Sequence, residues 1–90
     1  MKKFIKRGLF YVYIIQCRDG SFYTGYTPDL KNRIELHNKG KGAKYTRDRR
    51  PVELVWYRVY KYSRHAFLEE NRIKALTREK KEKLVRGEPC

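Results

Sequence analysis

Phe10-Tyr-Val-Tyr-Ile-Ile-Gln-Cys17, Arg18-Asp-Gly-Ser21 and Phe22-Tyr-Thr-Gly-Tyr26 form the continuous stretch whose reading decides the fold. The first run is β-branched and aromatic with little polar alternation, the pattern of a strand buried on both faces or nearly so. Asp19-Gly20 supplies a turn signal, and strand-forming residues resume at Phe22, so the stretch reads as a β-hairpin. It also sets two aromatic tripeptides, Tyr11-Val12-Tyr13 and Tyr23-Thr24-Gly25, on paired strands.

Downstream, Thr27-Pro28-Asp29 reads as an N-cap, a proline at the first helical position and an acid in the first turn of a helix running to about Asn38. Leu30, Arg33, Ile34 and His37 then share one face. Residues 39–51 read as a loop by their glycines and proline, carrying six cations and one anion with Tyr45 in the middle. Val52 to Tyr60 reads as a third strand, in which Val52, Leu54, Trp56 and Arg58 alternate with Glu53, Val55, Tyr57 and Val59. Ser63 is read as the cap of a second helix through about Ala75, and Thr77 as the cap of a third through about Val85. The order β-β-α-β-α-α implies an α+β domain with a three-stranded antiparallel sheet flanked by helices.

The 90 residues are enough for one domain, since a chain of this size buries only roughly 60–65% of the surface exposed when unfolded. Its core is expected at about 10–83, between a short basic N-terminal segment and a C-terminus expected to fray. Lys and Arg number 23 against 10 acids, a net charge of +13. So large an excess favours a polyanionic partner, because each phosphate neutralised releases condensed counterions. A merely solvated basic surface, as on a ribosome-associated or membrane-surface protein, is the plainer alternative. Cys17 and Cys90 give neither a disulfide framework nor a metal-ligand spacing, which fits a reducing cytoplasm. The apolar stretch at the N-terminus is broken by Lys6 and Arg7, so no secretory or membrane-spanning segment is expected.

The two tripeptides, followed by Arg33, His37 and a later helical glutamate, resemble the GIY-YIG nuclease superfamily, and in particular its small single-domain bacterial members. The resemblance covers about Phe10 to Lys83 and includes Asp19-Gly20-Ser21, Gly40-Lys-Gly-Ala-Lys-Tyr-Thr46 and Arg50-Pro-Val-Glu-Leu-Val55. It implies phosphodiester cleavage with a single metal ion. Tyr13 and Tyr23 match the phenols that orient or deprotonate the attacking water. A phenol ionises near pH ~10, so a base at neutrality needs nearby cations to favour the phenolate. Arg33 matches the helical arginine whose planar donors suit the oxygens of the scissile phosphate. His37 matches a position of Tyr or His in relatives and is expected to relay a proton or contact phosphate. Gly25 matches the glycine of the second motif, where the missing Cβ admits backbone or substrate.

A glutamate on the second helix should hold the metal. Glu70 follows Phe67 and Ala66 and precedes Ile73 at helical spacing, while Glu69 shares Ala66 and Ile73 from the other flank. Periodicity leaves both open; the family register points to Glu70. One carboxylate cannot enclose Mg²⁺ or Mn²⁺, so a single ion bound weakly without substrate is implied. Tyr11 stands where the family name has Gly, Thr24 where it has Ile, and Tyr26 where some relatives carry lysine.

The implied activity is a structure-selective or nonspecific DNA endonuclease of repair or recombination, acting as a monomer, with DNA favoured over RNA. Gly25, Lys39, Lys41, Lys44, Tyr45, Arg47, Arg49 and Arg50 would hold flanking backbone without reading bases. The alternative is a nucleic-acid-binding module of the same fold that cuts little or nothing.

Overall fold

A computed structural model describes residues 9–88. The basic N-terminal segment, residues 1–8, and the last two residues, Pro89 and Cys90, lie outside the described residues. Strands β1 (Phe10–Cys17), β2 (Phe22–Thr27) and β3 (Val52–Tyr60) form an antiparallel sheet in the order β2-β1-β3. Helices α1 (Leu30–Asn38) and α2 (Lys44–Arg47) precede β3, and α3 (Ser63–Lys74) and α4 (Arg78–Val85) follow it.

The central position of β1 explains its unbroken apolar run. Phe10, Val12 and Ile14 point to one side, where Ala66 and Ile73 of α3 and Leu84 of α4 cover them. Tyr13, Ile15 and Cys17 point to the other, against Leu30 and Ile34 of α1. Helices therefore cover both faces, and a strand of alternating polarity could not occupy this place. Val12, Ile14 and Ile15 are fully buried, each stabilising the fold by about 1.5–3 kcal/mol through burial alone.

The simple alternation expected along β3 fails at one point. Ile14 pairs with Trp56 but Ile15 pairs with Leu54, so Val55 is an extra residue in β3. Such a bulge moves the following side chains to the opposite face. Val52 and Leu54 consequently pack with Tyr13 and Ile15, while Trp56 packs beneath α3.

Three local expectations are also corrected. Asp29, not Thr27, caps α1, its carboxylate accepting from the Asn32 N–H; Thr27 ends β2 and its hydroxyl instead accepts from the Asp29 N–H. Ser63 is the first residue of α3, whose cap position is Tyr62. The segment read wholly as a loop contains the single turn α2, because Ala43 and Thr46 close it with backbone and side-chain bonds. Thr77 caps α4 as read, accepting from the Lys80 N–H.

Candidate active site

Tyr13 lies mid-strand in β1, directly across from Gly25 of β2. A Cβ at position 25 would stand 2.6 Å from the Tyr13 hydroxyl. The glycine thus lets the phenol lie across the neighbouring strand, where any other residue would push it aside. The phenol is 1% exposed and reaches the first helix.

There His37, the one buried residue of α1, receives it. The Tyr13 hydroxyl is 2.9 Å from His37 Nε2, and His37 Nδ1 is 2.9 Å from Thr46 Oγ1. Thr46 in turn donates its hydroxyl proton to the Ala43 carbonyl at 3.1 Å. That last bond fixes the direction of the others. With its proton committed, Thr46 must accept from His37 Nδ1–H, which leaves Nε2 bare to accept from the Tyr13 O–H. The phenolic proton therefore points at His37, and the lone pairs of the oxygen point elsewhere.

Arg33 lies close by, its guanidinium donating through Nη2 to the Gly42 carbonyl at 3.0 Å and its charge acting on the Tyr13 phenol. Burial pushes the Tyr13 phenol above its ordinary value; the hydrogen bond and charge of Arg33 oppose this, while Tyr23 and Glu70 add to the rise. The cation expected to favour the phenolate is present, but burial outweighs it, so Tyr13 stays protonated at neutral pH. Burial also drives His37 down to about 4, with the charge of Arg33 acting in the same direction. Its imidazole is neutral, consistent with its role as acceptor. Being fully buried with both nitrogens engaged, His37 is not exposed to touch phosphate directly.

Tyr23 shares the face of Tyr13. Its ring meets His37 edge-on at 5.3 Å and stacks on Tyr45 at 6.0 Å. The Arg49 guanidinium covers the Tyr45 ring at 4.0 Å and pairs with Asp19 at 3.1 Å. Arg50 donates to the carbonyls of Arg47 and Asn38. Lys39, Lys41, Lys44 and Arg47 are exposed.

The two adjacent glutamates part company. Glu69 takes both arms of Arg72 at 2.7–2.8 Å, lies 3.5 Å from Arg58 and accepts from Tyr60. Hydrogen bonding from Arg72 holds its carboxyl below the ordinary value. Among the described residues Glu70 pairs with Lys74, at 3.2 Å on its own helix, and its charge is felt by Tyr13. Among the described residues no three His, Cys, Asp or Glu side chains converge as a metal cage. A single carboxylate with hard oxygens, its side chain 15% exposed, fits an ion that retains water and takes substrate oxygens as its other ligands.

Tyr26, in contrast, turns to the α3 side and meets Phe67 edge-on at 6.4 Å. Two residues not singled out by the sequence complete the centre. Thr46 anchors His37, and Gly42 lies so close that a Cβ there would overlap the imidazole and approach the His37 Cα to 2.8 Å. Their local signal is weak, since Gly42 to Thr46 reads as ordinary loop chemistry until a buried imidazole needs a partner.

The family model of the GIY-YIG catalytic domain matches residues 9–83. A UPF0213 protein of Staphylococcus aureus strain Mu3 is 50% identical over 76 residues, 84% of this chain and 93% of that protein. The solution NMR structure of the UPF0213 protein from Bacillus halodurans aligns at a TM-score of 0.57 with 51% identity, covering 86% of this chain and 82% of that one. The solution structure of a protein from E. faecalis aligns at 0.61 with 38% identity, over 91% and 90% of the two chains.

Proposed function

The chain belongs to the GIY-YIG catalytic-domain family, a nuclease-type domain, and from that premise we propose that it is an endonuclease hydrolysing phosphodiester bonds with one divalent ion, Mg²⁺ or Mn²⁺. The observation that carries this reading is the directed chain Tyr13–His37–Thr46 beside Arg33 and Glu70. A phenol that already holds its proton can accept another only by passing the first on. Water would give a proton to the Tyr13 oxygen while the original phenolic proton moves to His37 Nε2; the resulting hydroxide attacks phosphorus, the ester oxygen departs as an alkoxide that takes a proton from solvent, and His37 returns its proton to the Tyr13 oxygen as that phenol releases one. Arg33, whose charge acts on the phenol, would bind the phosphate oxygens as charge builds on them. Glu70 would hold the ion, which supplies Lewis-acid stabilisation of that charge when bound. Tyr23 would position the water and support the imidazole through its ring.

Lys39, Lys41, Lys44, Arg47 and Arg50, with Tyr45, would hold backbone phosphates and carry no sequence code; the room at Gly25, expected to admit substrate, is taken by the Tyr13 phenol. DNA of branched, nicked or unspecific structure, in repair or recombination in the cytoplasm, is the proposed substrate, acted on by a monomer. No helix among the described residues is long and apolar enough to cross a membrane, and Cys17 is free and buried.

One observation favours a second reading, a binding module with little activity. Tyr26 packs beneath α3 where some relatives carry lysine, so Arg33 is the cation acting on a phenol whose ionisation burial opposes. Incubating nicked, branched, single-stranded and plain duplex DNA with Mg²⁺ separates the two. Cleavage lost in Glu70→Ala and Arg33→Ala supports the enzyme; cleavage unchanged in Glu70→Ala sinks its assigned role, and binding without cutting on every substrate favours the module.

A further inference from the structure

At the far end of β1 from the hairpin's catalytic face, three arginines from separate segments converge. Arg18 of the hairpin turn, Arg47 of α2 and Arg50 before β3 line one shallow pocket, with Asp48 the only acid among them. The segments are tied together there, since the Arg18 N–H donates to the Arg49 carbonyl at 2.9 Å. The Arg50 guanidinium is held in place by its bonds to the carbonyls of Arg47 and Asn38, at 2.7 and 3.4 Å. Gly40 leaves room for it, because a Cβ would stand 3.2 Å from its central carbon. Arg49, although next in sequence, is turned away to Asp19 and Tyr45.

We infer that this pocket is a second phosphate subsite, separate from the reacting centre, that grips the backbone of the bound nucleic acid. The inference rests on the nucleic-acid reading above. Arg18 follows Tyr13 by five residues, a separation of roughly 17 Å along an extended strand. On duplex DNA, with one phosphate per strand each 3.4 Å or so, that is about five base steps. The Arg50 guanidinium, held by carbonyls, loses little freedom on binding, and the forked donors of all three arginines suit phosphate oxygens. Arg47 and Arg50 thereby act with Arg18, while Arg49 serves to brace the Tyr45–Tyr23 stack.

Binding of a fluorescent duplex by the full chain, measured by anisotropy across a salt series without divalent ions, tests this independently of cleavage. Arg18→Ala, an exposed turn position, should weaken binding by about 10-fold near 0.1 M salt and lower the salt slope by about one; adding Arg47→Ala should lower it further. Arg86→Ala, an exposed charge beyond α4, should change binding by less than about twofold. Equal losses in Arg18→Ala and Arg86→Ala would overturn the subsite. Saturable binding of millimolar inorganic phosphate that Arg18→Ala abolishes would overturn it too, assigning the pocket to a small anion. A protein that binds with this Arg18 dependence yet cuts nothing would leave the subsite standing and remove the hydrolytic reading.

Discussion

The Tyr13 hydroxyl and His37 Nε2 stand 2.9 Å apart across the packing interface of the central strand and the first helix, both essentially out of contact with solvent. Their hydrogen bond has a direction, set two residues away by the bond from Thr46 to the Ala43 carbonyl. The proposed reaction would have this phenol exchange one proton for another.

If the pair works as a unit, Tyr13→Phe and His37→Gln should each slow cleavage by about 10²-fold or more. The double variant should be hardly slower than either alone, because removing one partner already disables the relay. Single-turnover kinetics with protein in excess would show this. Two losses that multiply would separate their roles.

Gly25→Ala places a methyl 2.6 Å from the phenol oxygen. The phenol must swing away from His37, and a displacement of about 1 Å at a reacting group costs about 10²-fold in rate. DNA binding should change little, so the defect is read as a fall in rate at saturation with an unchanged binding curve.

Thr46→Val keeps the shape of the side chain but leaves His37 Nδ1–H buried without an acceptor. A stability loss of about 1–3 kcal/mol is expected in urea unfolding, and Thr46→Ser should recover most of it. A neutral Thr46→Val variant would contradict the assigned tautomer.

Acid should weaken the fold before the carboxylates titrate. His37 ionises near 6.5 when unfolded but at about 4 when folded, so between these values the unfolded chain binds the extra proton. The stability due to the neutral imidazole is complete above pH 6.5 and is lost as pH falls toward 4, by about 3 kcal/mol in all. Glu69, held below its ordinary 4.5, loses its contribution only below that value. Urea midpoints between pH 7.5 and 4.5 should therefore slope in the wild type and flatten in His37→Gln. Cleavage should show no inflection near pH 6.5, since the folded imidazole does not titrate there.

The neighbouring glutamates should fail differently. Glu70→Gln should abolish Mg²⁺-dependent cleavage, as should chelation by EDTA, with thermal stability nearly intact. Glu69→Gln should leave cleavage measurable while costing about 1–3 kcal/mol, because Arg72 and Arg58 lose the negative charge and Arg72 one of its two acceptor oxygens. The reverse pattern would move the metal to Glu69.

Much of the architecture is legible in local chemistry. The run from Phe10 to Cys17 demands cover on both faces, Asp19-Gly20 turns the chain, and Thr77 caps its helix as read. Where two local signals compete, the reading slips by a residue or two. Thr27 and Asp29 are both good caps, and the strand pairing of Thr27 with Tyr11 decides between them. The bulge at Val55 leaves no mark in the composition of β3, because valine suits either face.

For the centre itself, the sequence alone determined which residue types were available and placed Tyr13, Arg33 and His37 on elements that could meet. It could not say that His37 is wholly buried, that Gly42 seals it, or that Thr46 points its proton away from it. Nor could it say that Glu69 and Glu70, only 100° or so apart around a helix, take different ion-pair partners. Tertiary structure decided these matters, since hydrogen-bond direction, burial and the resulting proton affinities depend on groups brought together from distant segments. The chemistry of each side chain is local, but the state in which it is held belongs to the packed whole.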